Sequence, residues 1–244
     1  MASTATYIYG GEQLIFTPEV SENNAIIVEI KIDVLFEDDF LAIVNKPAGL
    51  LVSGNKHKTL VNVLPQFLSL SSESDALTTP QPAHRLDFAT HGLVVVAKTK
   101  STLVTLQKAF KEKKISKTYY AITIHKLPPD GTITTSVDGK PSETSYKVVQ
   151  SVASKRFETL HLVQLFPKTG RRHQLRKHLQ GIGSPILGDK LYCKPKDILK
   201  GKGLYLQATA IKFEHPVTSE TVQVSIPLPK KFLKIFPETI LLNL

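Results

Sequence analysis

The 244-residue chain has no tryptophan and a single cysteine, Cys193. One thiol excludes an intrachain disulfide and any cysteine-rich zinc site, and it fits a reducing compartment. No apolar run approaches the roughly 18 residues of a membrane span. Met1-Ala2-Ser3-Thr4 lacks the basic start and apolar core of a secretory signal. A soluble cytoplasmic protein without a membrane partner is therefore expected. Glycine-rich nucleotide loops are missing, as are the Gly-x-Ser-x-Gly elbow and the His-Glu-x-x-His zinc helix. His173 and His178 are five apart, about 140° around a helix, so they do not share a ligating face. His84 and His91 flank one turn, but no third ligand is evident, so no metal is expected. Internal repeats are absent as well.

Basic residues are unevenly distributed along the chain. Residues 1–30 hold four glutamates and no Lys or Arg, so residues 31–244 carry about +14 against the chain's +10. A pI near 9.5 favours a polyanionic partner for that main body, because basic side chains that neutralise phosphates release condensed counterions. The division predicts an N-terminal extension over 1–30 and one large domain over 31–244, within reach of a single core.

Local patterns give the elements. Strands are predicted at 25–32, 32–36 and 40–45, with Lys46-Pro47-Ala48-Gly49 stopping the last. Leu60, Val63, Leu64 and Phe67 share the face of a short helix from Thr59 to Leu68. Ser69 to Thr79 is Ser/Thr-rich without periodicity and reads as a mobile surface loop ended by Pro80-Gln81-Pro82. The run Leu93 to Ala97 is a buried strand. Thr99 or Ser101 can cap a helix reaching about Lys113, whose basic last turn (Lys108, Lys111, Lys113, Lys114) suits either the macrodipole or RNA. A strand at 117–124 and a turn at Pro128–Gly131 follow. Two strands near 143–152 and 156–166 form a hairpin. A helix from Arg172 to Gln180 would be terminated by Gly181. Strands at 204–213 and 221–226 flank the turn at 214–218, and a last short helix lies within 229–236. Strands that mostly follow one another by turns indicate an α+β class with a largely antiparallel sheet.

One connection concentrates polar chemistry. His84-Arg85-Leu86-Asp87-Phe88-Ala89-Thr90-His91-Gly92 runs directly into the apolar strand, and loop residues held by a rigid strand are where catalytic groups tend to sit. Turn formation alone also accounts for an Asp and a Thr at such a place. A second island, Lys168 to His178, contains Arg171, Arg172, Arg176 and Lys177. A cation against a buried carboxylate keeps it ionised, as a nucleophilic or basic carboxylate requires. Spacing does not show that the two islands meet.

The pattern His84-Arg85-Leu86-Asp87-x-x-Thr90-x-Gly92-Leu93 resembles the signature of the RluA-type RNA pseudouridine synthases. Four further blocks match in order: Asn45-Lys46-Pro47-Ala48-Gly49-Leu50; Lys117-x-Tyr119-x-Ala121; Thr169-Gly170-Arg171-x-His173-Gln174-Leu175-Arg176-x-His178-Leu179 running on to Gly188-Asp189-x-x-Tyr192; and Phe213-x-His215-Pro216. The match spans roughly 32 to 229. It implies the pseudouridine synthase fold and an isomerase of RNA, acting on ribosomal RNA first and transfer RNA second, as a cytoplasmic monomer without cofactor or metal. Asp87 would be the catalytic carboxylate. Arg85 would displace the target uridine from its stack, Tyr119 would pack against the flipped base, and Arg176 would pair with Asp87. Lys46, His84, Arg171 and Arg172 would contact RNA. Residues 1–30 resemble the remnant of a small RNA-binding domain. Three departures stand out: His91 replaces the usual Ser, Thr79 to Ala83 lacks a basic residue, and Gln207-Ala208 replaces His-Ala. A catalytically idle RNA-binding module on the same scaffold is the alternative, and a metal-dependent hydrolase using His84, Asp87 and His91 a third reading.

Overall fold

The most hydrophobic stretch of the chain becomes its central strand. His91–Thr99 (β4) is buried along nearly its whole length, as expected for a β-branched run covered on both faces. In the computed structural model, which describes Gly11, residues 30–199 and residues 201–237, β4 has two different neighbours along its second edge. On its first edge it pairs antiparallel with Leu41–Lys46 (β2), from Leu41 opposite Ala97 to Lys46 opposite Gly92. On the second edge, Ala76–Pro82 (β3) takes the far end of β4. Leu206–Glu214 (β9) takes only the near end, in a short parallel contact of His91 with Gln207 and Gly92 with Ala208.

From β9 the sheet continues through Ser116–Ile124 (β5), Glu158–Pro167 (β8), Thr144–Ser154 (β7) and Asp130–Ile133 (β6). Asp33–Glu37 (β1) edges β2, and Thr221–Ser225 (β10) pairs with β9. Every ladder except β4–β9 is antiparallel. The α+β expectation therefore holds, and the two halves of the sheet join at the strand end that follows the Asp87 loop.

Helices cover both halves. Leu60–Val63 (α1), with Leu64–Gln66 as a 3-10 turn, packs its Leu60, Val63 and Leu64 beneath β2 and β4. Lys100–Lys111 (α2) begins where Thr99 Oγ1 accepts the Thr102 N–H at 3.2 Å, the cap expected from sequence. Gln174–Gly181 (α3) and Lys230–Leu233 (α4) close a third face, with Leu175, Leu179 and Phe232 in one cluster with β5 and β8. The closing turn at His215 ties two strand ends together. Its Nδ1 accepts from the Val217 and Thr218 N–H groups, which leaves Nε2–H to donate to Asp38 at 2.9 Å.

Three expectations change. The segment read as a mobile loop over 69–79 ends in β3, and acidic side chains hold it. Ser69 N–H donates to Glu37, Ser72 N–H and Oγ–H donate to Asp39, and Ser101 N–H donates to Asp75. Its prolines fit because β3 is bonded to β4 alone, so a missing N–H need not break a second ladder. Helix α3 starts two residues late and runs through Gly181. Gly183, at φ 83°, closes it instead, with Gly183 N–H to Gln180 O and Ser184 N–H to Leu179 O, both 3.0 Å. The 1–30 extension, apart from Gly11 and Ile30, and residues 25–29 of the first expected strand lie outside the described residues, while residues 30–32 are not strand. No helix among the described residues is long and apolar enough to cross a membrane.

Gly92 sets how closely the halves approach. Its φ is +129°, and a Cβ there would lie 2.2 Å from Ala208 O. Gly92→Ala is expected to cost about 2 kcal/mol or more of stability in urea unfolding, through strain and a forced separation of β4 from β9. Gly170→Ala, where φ is ordinary and the Cβ would meet nothing within 4 Å, should change stability little.

Candidate active site

The loop before β4 is fixed at several points. Leu86 is buried, the Thr90 N–H donates to Asp87 O at 3.0 Å, and the Gly49 N–H donates to Phe88 O at 2.7 Å. The block at 45–50 thus holds the Asp87 loop by a main-chain bond. Between these anchors the Asp87 side chain remains 18% exposed, open to a partner but largely shielded from water.

The second basic island arrives from α3. Gln174 organises its start: Oε1 accepts from Thr169 Oγ1–H at 2.8 Å and Arg171 N–H at 3.0 Å, while Nε2 donates to Glu143 O and Thr144 Oγ1. Two residues on, Arg176 points inward and is buried. Its Nε and one terminal nitrogen donate to both oxygens of Asp189, at 2.7 and 2.8 Å. The other terminal nitrogen lies 3.6 Å from Asp87 Oδ2. Burial works against the guanidinium charge, and the two carboxylates more than offset it, so its pKa is raised. Asp189 itself is wholly buried and also accepts the Leu191 and Tyr192 N–H groups through Oδ1. The Tyr192 ring lies under the guanidinium, 4.9 Å from Arg176 Cζ, a favourable cation–π position.

Two more groups face Asp87. His173 Nε2 is 3.8 Å from Asp87 Oδ1. Tyr119, on β5 opposite Ala208 of β9, has its hydroxyl pKa raised by burial first and by the Asp87 charge second. The arrangement is a partly exposed carboxylate with an aromatic ring nearby and a guanidinium fixed behind it. It can present a charged oxygen to an electrophilic carbon or to an acidic proton.

Of the residues singled out by sequence, Asp87, Arg176 and Tyr119 come together, whereas Arg85, Arg171 and Arg172 lie exposed around them. Arg171 Nε donates to Pro141 O at 3.2 Å. Two residues expected to contact RNA are turned inward. Lys46 is fully buried, with its ammonium donating to Pro47 O at 2.9 Å and Leu50 O at 2.8 Å. Burial lowers its pKa to about 8, with Asp87 acting against that shift. His84 is turned into the fold: Nε2 accepts the Val95 N–H at 3.1 Å, and the ring rests on Phe110 with centroids 4.5 Å apart. Desolvation first and Lys117 second push its pKa down to about 3. An acceptor so placed is not free to bind a metal beside Asp87 and His91. Burial first, then Lys231 and Lys46, lower the pKa of His91 against the opposing effect of Asp33.

Asp189, His173 and Tyr192 are the site residues that sequence reasoning left without a role, although all three stand in the matched blocks. A signal was available for Asp189, since a buried Arg176 requires a carboxylate and that block supplies one within thirteen residues. Asp189→Ala would leave the guanidinium buried with Asp87 alone at 3.6 Å, and a loss of about 3 kcal/mol or more is expected by chemical denaturation. His84 generates a pH prediction. The folded imidazole stays neutral down to about pH 3, whereas the ordinary value is 6.5. Acidification below 6.5 therefore protonates the unfolded chain preferentially and lowers stability. The urea midpoint should fall between about pH 7.5 and pH 5, and His84→Gln should shrink that fall because its amide does not titrate.

Comparison with known proteins gives the family. The family model for RNA pseudouridylate synthase matches residues 40–181, which include Asp87, Tyr119 and Arg176 and stop short of Asp189. Ribosomal large subunit pseudouridine synthase D of Neisseria meningitidis serogroup B is 33% identical over 90% of this chain, which spans 65% of that protein's length. The dual-specificity RNA pseudouridine synthase RluA of Haemophilus influenzae is 35% identical over 80% of this chain and 92% of its own. Among solved structures, human RNA pseudouridylate synthase domain containing 4 superposes with a TM-score of 0.66 at 28% identity, covering 82% of this chain and 90% of that one. The chain belongs to the RNA pseudouridylate synthase family, a family of RNA isomerases.

Proposed function

We propose that residues 31–244 form a catalytic domain that isomerises uridine to pseudouridine in RNA with Asp87 as the catalytic carboxylate. The observation that carries this reading is the pairing of Arg176 with both Asp87 and Asp189, which keeps a charged carboxylate oriented at the junction of the two half-sheets. The isomerisation breaks the bond from the ribose anomeric carbon to uracil N1, turns the base, and joins the same carbon to C5. The C5 proton leaves and N1 gains one, so the atoms balance without an oxidant or a second substrate. Asp87 serves either as nucleophile at the anomeric carbon or as the base that starts cleavage.

The surroundings support the binding half of the reaction. Extruding a base costs a few kcal/mol, offset by stacking and pocket contacts. Arg85 is exposed on the Asp87 loop, where it can enter the space that the uridine leaves, and Tyr119 offers a ring beside the carboxylate. Phe88 and Leu191, 56% and 67% exposed, lie next in sequence or two residues from the two paired carboxylates and offer apolar contact to neighbouring bases. Arg171 and Arg172 are exposed for phosphates, which position RNA without reading its sequence. Ribosomal RNA is the first substrate in this reading, in keeping with the large-subunit name of the Neisseria relative, and transfer RNA the second. The same reading has the protein act as a monomer in the cytoplasm, with residues 1–30 as an extension.

Tritium release from RNA labelled at uracil C5 tests it. Wild type should release tritium from a large-subunit ribosomal RNA transcript, and Asp87→Ala should release none above background. Release that persists in Asp87→Ala would refute the assignment, and RNA binding without release in wild type would favour an idle binding module.

A further inference from the structure

Asp87 has a different neighbour on each oxygen. Arg176 faces Oδ2 at 3.6 Å, and His173 Nε2 faces Oδ1 at 3.8 Å. The other nitrogen of that imidazole, Nδ1, lies 2.8 Å from the Tyr192 hydroxyl. We propose that His173 is a positioning residue that fixes the plane of the Asp87 carboxylate, and that Tyr192 sets which of its ring nitrogens carries the proton.

Donors and acceptors decide the protonation of the ring. A carboxylate only accepts, a hydroxyl does either, and a neutral imidazole has one N–H. For the neutral ring one assignment satisfies both neighbours: Tyr192 O–H donates to Nδ1, and Nε2–H points at Asp87. Tyr192 is itself held, by its N–H on Asp189 at 3.2 Å, by its ring under Arg176, and by an edge contact with the His173 ring at 5.7 Å between centroids. Asp189 therefore fixes both arms that reach Asp87, one through Arg176 and one through Tyr192 and His173.

The backbone supports a dedicated placement. His173 has φ 56° at the start of α3, a left-handed conformation that most L side chains avoid and that Asn, Asp and His enter most readily. The charged groups around the ring are Asp87, Arg176, Arg172 and Lys177, with Asp138 also sensing its charge. Burial first, then the three cations, lowers its pKa against the opposing effect of Asp87. That direction favours the neutral ring the assignment needs.

This inference rests on Asp87 being the catalytic carboxylate. Its test uses the whole chain and whichever of two C5-tritiated transcripts, ribosomal or transfer RNA, the wild type turns over. His173→Asn keeps the left-handed backbone accessible, and it should lower kcat roughly tenfold or more with RNA KM changed less than about threefold. Tyr192→Phe should lower kcat in the wild-type background and add nothing in the His173→Asn background. Nitrogen-15 histidine spectra should show an Nε2–H tautomer for the signal that His173→Asn removes, and Tyr192→Phe should alter that signal. Wild-type kcat in His173→Asn, a loss confined to KM, additive effects of the two variants, or an Nδ1–H tautomer would each overturn the proposal. Should His173→Asn not fold, Tyr192→Phe and the spectra decide it. Asp87→Asn separates the two readings: turnover there sinks the catalytic assignment itself, whereas an inactive Asp87→Asn beside a fully active His173→Asn sinks only the positioning role.

Discussion

A buried guanidinium has to be paired, and the way Arg176 is paired organises the rest of the site. Desolvating an unpaired ion costs several kcal/mol, so a carboxylate must stay with Arg176 wherever α3 goes. Asp189 takes that part with both oxygens, while its Oδ1 also gathers the N–H groups of Leu191 and Tyr192. Three consequences follow from one ion pair. Helix α3 is fastened to the segment after it, Tyr192 is set beneath the guanidinium, and the remaining terminal nitrogen is left aimed at Asp87. Asp189 takes the Nε edge of the guanidinium, and the other terminal nitrogen, 3.6 Å from Asp87, orients that carboxylate without locking it.

The second constraint is steric. The two half-sheets meet through two residue pairs, His91 with Gln207 and Gly92 with Ala208, and Gly92 allows the approach because any Cβ there would collide with Ala208 O. Tyr119 is opposite the same Ala208 and packs against the clusters on both sides of the junction. The Asp87 loop ends at this junction, pinned by Gly49 and Thr90. The Asp87 carboxylate thus acquires the rigidity of two sheets while staying partly exposed.

Much of this was legible from local sequence. The run at 93–97, the Thr99 cap and the hairpin at 143–166 depend on near neighbours, and the structure has them within one to three residues at each end. Strand β3 was not legible, because its partner β4 and its acidic anchors Glu37, Asp39 and Asp75 are remote or polar, and its Ser/Thr-rich approach lacks periodicity. Asp87, Arg176 and Tyr119 were identified by resemblance, since no spacing argument brings residues 87, 119 and 176 together. Lys46 and His84 show the limit of reading charge type as location. The carbonyls of Pro47 and Leu50 draw the ammonium inward, and the Val95 N–H claims the imidazole. Asp189 went unassigned because its importance lies in a partner thirteen residues away across a turn.

The proposed chemical event is the rejoining of ribose to uracil C5 with Asp87 as the catalytic carboxylate. RNA carrying 5-fluorouridine isolates that event, because fluorine cannot leave C5 as a proton and the rearranged base is stopped after the new carbon–carbon bond forms. Incubating such a ribosomal RNA transcript with the protein and analysing the released nucleosides by mass spectrometry tests the claim most directly. The account predicts a C5-linked fluorinated nucleoside, or an adduct that retains it, with wild type and unchanged 5-fluorouridine with Asp87→Ala. The same rearranged product from Asp87→Ala would contradict it.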